Sequence, residues 1–141
     1  MGLQGFKELD RQLAALAAVP RGKVLRSAVR AGMKPAADKW KDTIVVGQRP
    51  HRTYKGRLVG PGFAKRNIRI ITTVSRDKNK AAAIMGARKE AFYEPQFIER
   101  GFRGIPGRPS QKAALESTQQ AQIDALAAKL KAGILKAARS R

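Results

Sequence analysis

The run NIRIITTVS at residues 67–75 most constrains the fold, because it is the clearest strand signal in the chain. Its β-branched side chains occupy every second position, which is the pattern of a half-buried strand. A polar turn at residues 76–79 separates it from KAAAIMGA at residues 80–87, which we predict to be its antiparallel partner. A third short strand is predicted at residues 91–98, where Pro95 would restrict it to a sheet edge or a bulge.

Two segments with helical periodicity precede the predicted strands. Residues 3–16 carry a leucine-rich stripe that predicts an amphipathic helix, which we expect to end at Pro20 and Gly22. A second apolar stripe follows at residues 25–44. Pro35 lies inside this stripe and lacks the backbone N–H of other helical residues. We therefore predict either a kinked helix or two helices that meet at this point.

A long helix is predicted at the carboxyl end of the chain. Residues 110–140 place apolar side chains at helical spacing, and Ser110 is in position to cap the first turn. Trp40 continues the apolar stripe of the second helical segment, so we interpret it as a core residue. Long helices packed with a small antiparallel sheet of about three to four strands predict an α+β fold.

The length and composition of the chain indicate one domain. Of its 141 residues, 43% are apolar, which suffices for a single ordinary core, and we predict one domain over residues 1–141. Cysteine is absent, which excludes disulfides and cysteine-ligated zinc. The longest unbroken apolar run, residues 14–19, is far shorter than the roughly 20 residues of a membrane-spanning helix. The amino terminus lacks a signal-peptide pattern, so we expect no association with a membrane.

The charge of the chain predicts a polyanionic neighbour. The sequence has 30 Lys and Arg against 10 Asp and Glu, which gives a formal net charge of +20. A charge of this size attracts polyanions and acidic protein surfaces, and mixed surface charge maintains solubility at a much lower net value.

A basic stretch at residues 47–67 is predicted to be a long flexible loop that becomes ordered when a partner neutralises it. Tyr54 and Phe63 are interleaved with its charges, a mixture found in proteins that stack aromatic rings on single-stranded nucleic acid. A solvated loop that contacts nothing is the alternative interpretation. The candidate side chains that face DNA or another partner are Arg49, Arg52, Lys55, Arg57, Lys65 and Arg66.

The sequence predicts no enzyme. His51 has no acid close to it in sequence, and we interpret it as a surface residue. Glu94 and Glu99 form the nearest approach to a catalytic acid pair, but neighbouring arginines favour salt bridges for both. The glycine-bearing residues 56–66 lack the Gly-Lys-Ser/Thr ending of a phosphate-binding loop. No spacing of acids or histidine suggests a metal site, so we expect no catalytic residue, no cofactor and no metal.

Glycine and proline are concentrated in the connection to the last predicted helix. Gly101, Gly104 and Gly107 are expected to let the chain turn sharply away from the sheet. Pro106 and Pro109 are expected to stiffen the exit and to set the start of the helix. We therefore predict that this connection orients the last helix.

Several short motifs occur in a recognisable order. A G-hydrophobic-x-E-L sequence at residues 5–9 is followed by an alanine-rich helical segment and by Gly-Arg-Leu at residues 56–58. An aromatic pair at residues 92–93 then precedes the Glu-x-Gly step at residues 99–101 and the Arg-Pro step at residues 108–109. This order resembles the neck or tail-completion proteins of tailed double-stranded-DNA bacteriophages, of the gene-ten-like minor tail type.

The resemblance implies a structural virion protein, assembled in the host cytoplasm, that forms a six-fold or twelve-fold ring at the head–tail junction. Such a ring would link the head-side connector or head-closure protein to the tail terminator or tail tube. It would line or flank the DNA exit channel and contact genomic DNA without sequence preference. The residues implied in subunit contact are Phe92, Tyr93, Glu99, Gly101, Arg108 and Pro109.

The chain departs from the family pattern at two places. Arg100 replaces the usual aromatic residue between Glu and Gly, and residues 110–112 replace an aromatic-leucine-arginine run. If those family residues pack between subunits, this chain must pack its subunits differently. The alternative function is that of a sequence-nonspecific nucleic-acid-binding protein of the ribosome-associated or nucleoid-associated type, which the charge and the basic stretch favour.

Overall fold

A computed structural model describes the backbone of residues 18–139, and the side chains of residues 21–139 except residue 89. The leucine-rich stripe of residues 3–16 lies outside the described residues. Among those described, no helix is long and apolar enough to cross a membrane. The elements are α1 (Ala18–Thr43), β1 (His51–Arg52), β2 (Leu58–Val59), α2 (Phe63–Asn67), β3 (Ile68–Val74), β4 (Ala81–Ala87), a 3-10 turn (Lys89–Ala91), α3 (Tyr93–Arg100), β5 (Gly101–Phe102), β6 (Ile105–Pro106), α4 (Ser110–Ser117) and α5 (Gln119–Arg139).

Helix α1 is continuous over 26 residues. Pro20 and Gly22 lie inside it, so the expected helix end at these two residues is wrong. Pro35 also lies inside α1, which excludes the alternative of two separate helices. A proline within a helix costs about 3 kcal/mol. Burial of the neighbouring Ala36 and Trp40, whose exposures are 0% and 1%, offsets this cost.

Trp40 and Ile68 are the largest fully buried side chains among the described residues, which confirms the interpretation of Trp40 as a core residue. The core lies between α1, the β3–β4 hairpin and α4, where apolar side chains of each element meet. Its buried members are Ala36, Ala37, Trp40, Ile44, Ala64, Ile68, Met85 and Ala114.

Within residues 18–139, the strands form three separate two-stranded antiparallel ladders. Strands β3 and β4 pair over seven residues, from Ile68 opposite Ala87 to Val74 opposite Ala81, as their sequences predict. One face of this hairpin packs on α1. The α+β class and the long C-terminal helix are therefore confirmed, although the strands are divided among three small sheets.

The third strand predicted at residues 91–98 is wrong, because most of this segment is helix α3. Pro95 stands in the first turn of α3 and is buried, and at such a position its missing N–H leaves no intrahelical hydrogen bond unmade. Gly101 ends the helix with φ 81° and ψ 166°, a conformation essentially restricted to glycine. A Cβ on Gly101 would lie 2.4 Å from the carbonyl oxygen of Ile105.

The basic stretch at residues 47–67 contains regular structure where a loop was expected. Strands β1 and β2 form a hairpin, and α2 follows it. The backbone N–H of Thr53 donates to Arg57 O at 2.8 Å, and Gly56 takes φ 80° at the turn. Thr53 itself is only 4% exposed, so this hairpin is anchored in the fold.

The predicted last helix is divided at Thr118 into α4 and α5. Helix α5 packs along α1, and two glycines permit the close approach. A Cβ on Gly32 would lie 2.9 Å from Leu126 Cβ, and a Cβ on Gly133 would lie 2.8 Å from Val24 Cγ1. Substituting either glycine would require the neighbouring side chain to move.

Candidate interaction surface

Five aromatic side chains form a continuous row, which we call the aromatic ridge. The ring centroids of Phe97 and Phe102 lie 4.6 Å apart. Tyr54, Phe92 and Tyr93 are mutually edge-on, and Tyr93 also meets Phe97, at centroid separations between 5.9 and 6.2 Å. Edge-on aromatic pairs are favourable beyond the area they bury, so the rings hold one another in place.

Three separate parts of the chain build the ridge. Tyr54 stands in the turn of the β1–β2 hairpin, and Phe102 lies in β5. Phe92 precedes α3, and Tyr93 and Phe97 lie one helical turn apart on that helix. The four-residue spacing of Tyr93 and Phe97 is typical of two side chains on one helix face. This signal was missed because the segment was interpreted as a strand.

The ridge is open to solvent. Tyr54 is 62% exposed, and Phe92, Phe97 and Phe102 are each between 45% and 48% exposed. The β1–β2 hairpin also exposes the apolar side chain of Leu58, and the β5–β6 hairpin exposes that of Ile105. A contiguous exposed patch of large apolar side chains marks an interaction surface.

Cations stand at both ends of the ridge. Lys55 Nζ lies 5.7 Å from the centroid of the Tyr54 ring, and Arg103 Cζ lies 5.0 Å from that of Phe102. Both distances are within the range of cation–π attraction. The ridge therefore presents aromatic faces between positive charges.

Polar contacts fasten the β1–β2 hairpin to the region of α3. His51 Nε2 lies 2.7 Å from Glu94 Oε1 and 3.3 Å from the Tyr93 hydroxyl. Thr53 Oγ1 donates to Glu90 Oε2. His51 lies at the surface, as expected, with 40% of its side chain exposed. Its acidic partner Glu94 could not be found from sequence, because the two residues are 43 positions apart.

Burial raises the pKa of the Tyr93 hydroxyl above its usual value of 10.0, and the negative charges of Glu94 and Glu90 raise it further. The neutral phenol of Tyr93 is the favoured form, because both the partial loss of water and the adjacent carboxylates disfavour a phenolate.

Glu99 caps helix α4 from outside the helix. Its Oε1 accepts hydrogen bonds from Ser110 Oγ at 2.9 Å and from the backbone N–H of Gln111 at 2.5 Å. Trp40 Nε1 in turn donates to Ser110 Oγ at 3.2 Å. A carboxylate at a helix amino terminus satisfies an unpaired N–H and complements the helix dipole.

Two sequence-based expectations are corrected by this arrangement. Glu94 and Glu99 were expected to pair with arginines, but within the described part of the chain Glu94 pairs with His51, and Glu99 forms no salt bridge. Ser110 was expected to be the capping residue of the last helix. It is instead the first helical residue after Pro109. Its hydroxyl donates a hydrogen bond to Glu99 and accepts one from the core residue Trp40.

The structure joins two of the predicted sites. Lys55 and Arg57, from the basic stretch, lie on the hairpin that brings Tyr54 against Phe92 and Tyr93. These two aromatic residues belong to the predicted subunit-contact segment. Part of the basic stretch and part of that segment therefore form one surface.

The other predicted basic residues have separate positions. Arg49 precedes β1, and the Nη1 atom of Arg52 donates to Gly56 O at 2.9 Å within the hairpin turn. Lys65 and Arg66 lie on α2, where Arg66 Nη1 donates to Pro61 O at 2.7 Å.

The remaining members of the subunit-contact segment shape the backbone below the ridge. Gly101 turns the chain from α3 into β5. The backbone N–H of Arg108 donates to Ile98 O at 2.6 Å, which brings the chain back toward α3 before Pro109 starts α4.

Within residues 18–139, no three His, Cys, Asp or Glu side chains are grouped so that they could hold a metal ion. Comparisons of the chain with protein-family models, curated proteins and solved structures found no match. The aromatic ridge and the charges of the chain are the features that bear on its function.

Proposed function

We propose that this chain is a structural protein of a bacteriophage virion that forms a ring at the head–tail junction. The observation that carries the proposal is the aromatic ridge, an exposed row of rings flanked by Lys55 and Arg103. Aromatic residues and arginine are enriched at protein interfaces, where rings supply large contact areas at a small entropic cost. The order of short motifs along the chain supports the same proposal.

In this proposal the ridge packs against a neighbouring copy in a six-fold or twelve-fold ring. The ring joins the head-side connector or head-closure protein to the tail terminator or tail tube. A charge of +20 on each copy repels its neighbours. Acidic neighbouring rings and the phosphates of genomic DNA passing through the channel would offset this repulsion.

Electron microscopy of virions tests the location. Gold-labelled antibodies against this chain, applied to purified virions of the phage that encodes it, should mark the junction between capsid and tail. Label on the capsid surface or along the tail shaft, with none at the junction, would overturn the proposal. Virions assembled without the chain provide the control for antibody specificity.

A ridge variant tests the surface itself. Replacing Phe92 and Phe102 by Ala should leave the subunit folded, because each is nearly half exposed, and should reduce head–tail joining. The matched control replaces Ile71 and Ile123 by Ala, since these side chains are also exposed and lie outside the ridge. Equal loss of joining in both variants would remove the ridge from the proposed contact.

The second candidate is a sequence-nonspecific nucleic-acid-binding protein. The cations over Tyr54 and Phe102 favour it, because single-strand binders combine exposed rings with positive charge. It predicts that the isolated monomer binds single-stranded DNA or RNA tightly and with a steep salt dependence. Ribosomal or nucleoid association in cells, with no label at a virion junction, would favour this candidate over the ring.

A further inference from the structure

One face of helix α1 carries a polar and mostly basic stripe. Its members recur at intervals of three and four residues, which places them on the same side of the helix. From the first member to the last, the stripe extends about 27 Å, at about 1.5 Å per residue. These residues are Lys23, Ser27, Arg30, Lys34, Asp38 and Lys41.

Neighbouring elements turn this stripe into the floor of a groove. Two cavities lie along it, one toward α5 and one toward β3, and both are lined by Ser27 and Lys129. The two cavities adjoin at these shared residues, and we call them together the basic trough. Its cationic residues are Lys23, Arg30, Lys34, Lys41, Arg69, Lys129 and Lys136.

Small side chains keep the trough open. Ser27 and Ala31 of α1, with Ala132 and Gly133 of α5, line the cavities between the longer cationic side chains. The contact between Gly133 and Val24 brings the two helices close together, so that lysines from both helices border the same depression.

The positive charge of the trough is largely uncompensated. Of the described residues that line the two cavities, Asp38 alone is acidic, and its Oδ2 pairs with Lys34 Nζ at 2.5 Å. No other salt bridge in the described part of the chain involves a cation of the trough. Arg30 Nη1 donates to Ile70 O at 3.3 Å, which directs that guanidinium along β3. Like charges gathered in this way repel one another until an anion binds.

We infer that the basic trough binds the sugar–phosphate backbone of nucleic acid without reading its sequence. A row of cations along an open groove matches a row of phosphates, and neutralisation with counterion release drives such binding. Among the described side chains, no aromatic ring lines either cavity, so these residues offer no platform for base stacking. It also lacks the aromatic anchors of a protein interface, which favours nucleic acid over an acidic protein.

The inference extends the proposed function, because it names the surface that would meet the DNA in the exit channel. It assigns DNA contact to the helical trough, whereas the sequence had suggested the basic stretch at residues 47–67. The aromatic ridge remains the protein-contacting surface. The binding experiment uses the isolated chain and the virion experiment tests location, so either can fail alone.

The test compares two variants that lose equal charge. Fluorescence anisotropy measures binding to labelled 30-base-pair duplexes of two unrelated sequences, over a range of salt concentrations. The trough variant replaces by Gln the exposed residues Lys23, Lys34, Lys129 and Lys136. The control variant replaces by Gln four exposed lysines that do not line the trough, namely Lys39, Lys80, Lys112 and Lys131.

The trough variant should bind both duplexes at least about tenfold more weakly than the wild type. Its plot of log affinity against log salt should be shallower by up to about 3.6, since four cations are removed and each phosphate contact contributes about 0.9 to the slope. The control variant should lose much less affinity. Equal losses in the two variants would overturn the inference, because they would show an effect of net charge alone. A strong preference for one duplex would also overturn it.

Two further measurements complete the test. Polyglutamate of matched charge should compete poorly with the duplex, whereas tighter binding of polyglutamate than of DNA would assign the trough to an acidic protein. If the trough variant fails to fold, duplex DNA should still protect wild-type Lys23, Lys129 and Lys136 from acetylation more than Lys39 and Lys131. Uniform protection of all lysines, or none at all, would overturn the inference.

Discussion

The aromatic ridge and the basic trough are both exposed, but different forces suit them to different partners. The ridge carries exposed rings in edge-on and tilted contact, and its contacts with a partner would be short-ranged and only weakly sensitive to salt. The trough carries cations with little compensation, and its contacts would weaken steeply as salt increases. Binding through the two surfaces should therefore respond differently to salt.

The largest effect is expected from a change that removes support from both regions. Trp40→Ala should lower the free energy of unfolding by about 3–5 kcal/mol, because Trp40 is 1% exposed and anchors the helix that carries the trough. Urea denaturation measures this loss.

Trp40→Phe is the control, since it keeps most of the ring and removes the hydrogen bond to Ser110. It should cost about 1 kcal/mol from that hydrogen bond, with a further small packing loss. A Trp40→Ala loss below about 1 kcal/mol would show that the core does not support the two surfaces jointly.

A substitution at Gly101 should disturb the ridge and spare the trough. Gly101→Ala should destabilise the chain by about 1–3 kcal/mol from its conformation alone, and the clash with Ile105 O should add to this loss. Thermal unfolding followed by circular dichroism measures the effect.

Gly104→Ala is a matched control for Gly101→Ala, because Gly104 has the same φ of 81° and its Cβ would meet nothing within 4 Å. Gly101→Ala should destabilise the chain more than Gly104→Ala, because its Cβ would lie 2.4 Å from Ile105 O and its ψ of 166° adds conformational strain. Equal destabilisation by both would contradict the described hairpin geometry.

Removing the charge of Glu99 should have a smaller effect, below the ridge. Glu99→Gln should lower the free energy of unfolding by about 1 kcal/mol, since the side chain loses a charge-assisted cap on α4. Urea denaturation again provides the measurement. Glu116→Gln, whose partner Lys112 lies 3.9 Å away at the surface, should change stability by less than about 0.5 kcal/mol. Similar losses in the two variants would count against the capping role.

Neutralising four cations of the basic stretch should affect stability less, and it tests whether DNA binding depends on the trough rather than on this stretch. Changing Arg49, Arg52, Lys55 and Arg57 together to Gln should alter the free energy of unfolding by less than about 1 kcal/mol, because these side chains are exposed. Head–tail joining should be impaired, and duplex binding should fall less than in the trough variant. A fall of several degrees in the melting temperature would show that the charged side chains belong to the packed structure.

The smallest effect is a titration within the ridge. The pKa of Tyr93 is raised by burial and then by Glu94 and Glu90, so its phenol should titrate above pH 10.0. The stabilising contribution of the neutral phenol is complete below its unfolded-state pKa, and it is lost as the pH rises through the folded-state value. The ultraviolet difference titration between wild type and Tyr93→Phe measures this group alone. A midpoint at or below pH 10.0 would contradict the described surroundings.

Long periodic segments could be predicted from sequence, but short elements could not. The alternation in β3 and the apolar stripe of α1 indicate their structures directly, because each pattern repeats over several residues. The two-residue strands β1 and β2 are too short for any pattern to repeat.

Residues 91–98 show how the context of the chain overrides local preference. Their aromatic content and Pro95 suggested an edge strand. In the fold, Pro95 occupies the first turn of a helix, where its missing N–H is tolerated, and Gly101 ends that helix. The helix and the turn after it place Phe97 beside Phe102, a contact that the predicted strand did not suggest.

The sequence by itself determined the charge of +20, the absence of cysteine and the periodic patterns of the long helix and the main hairpin. Only the tertiary structure decided which residues share a surface. His51 meets Glu94 across 43 positions of sequence, and Lys129 borders the same groove as Ser27. Periodicity describes which way a side chain faces on its own element, whereas packing of elements against a common core determines which distant side chains meet.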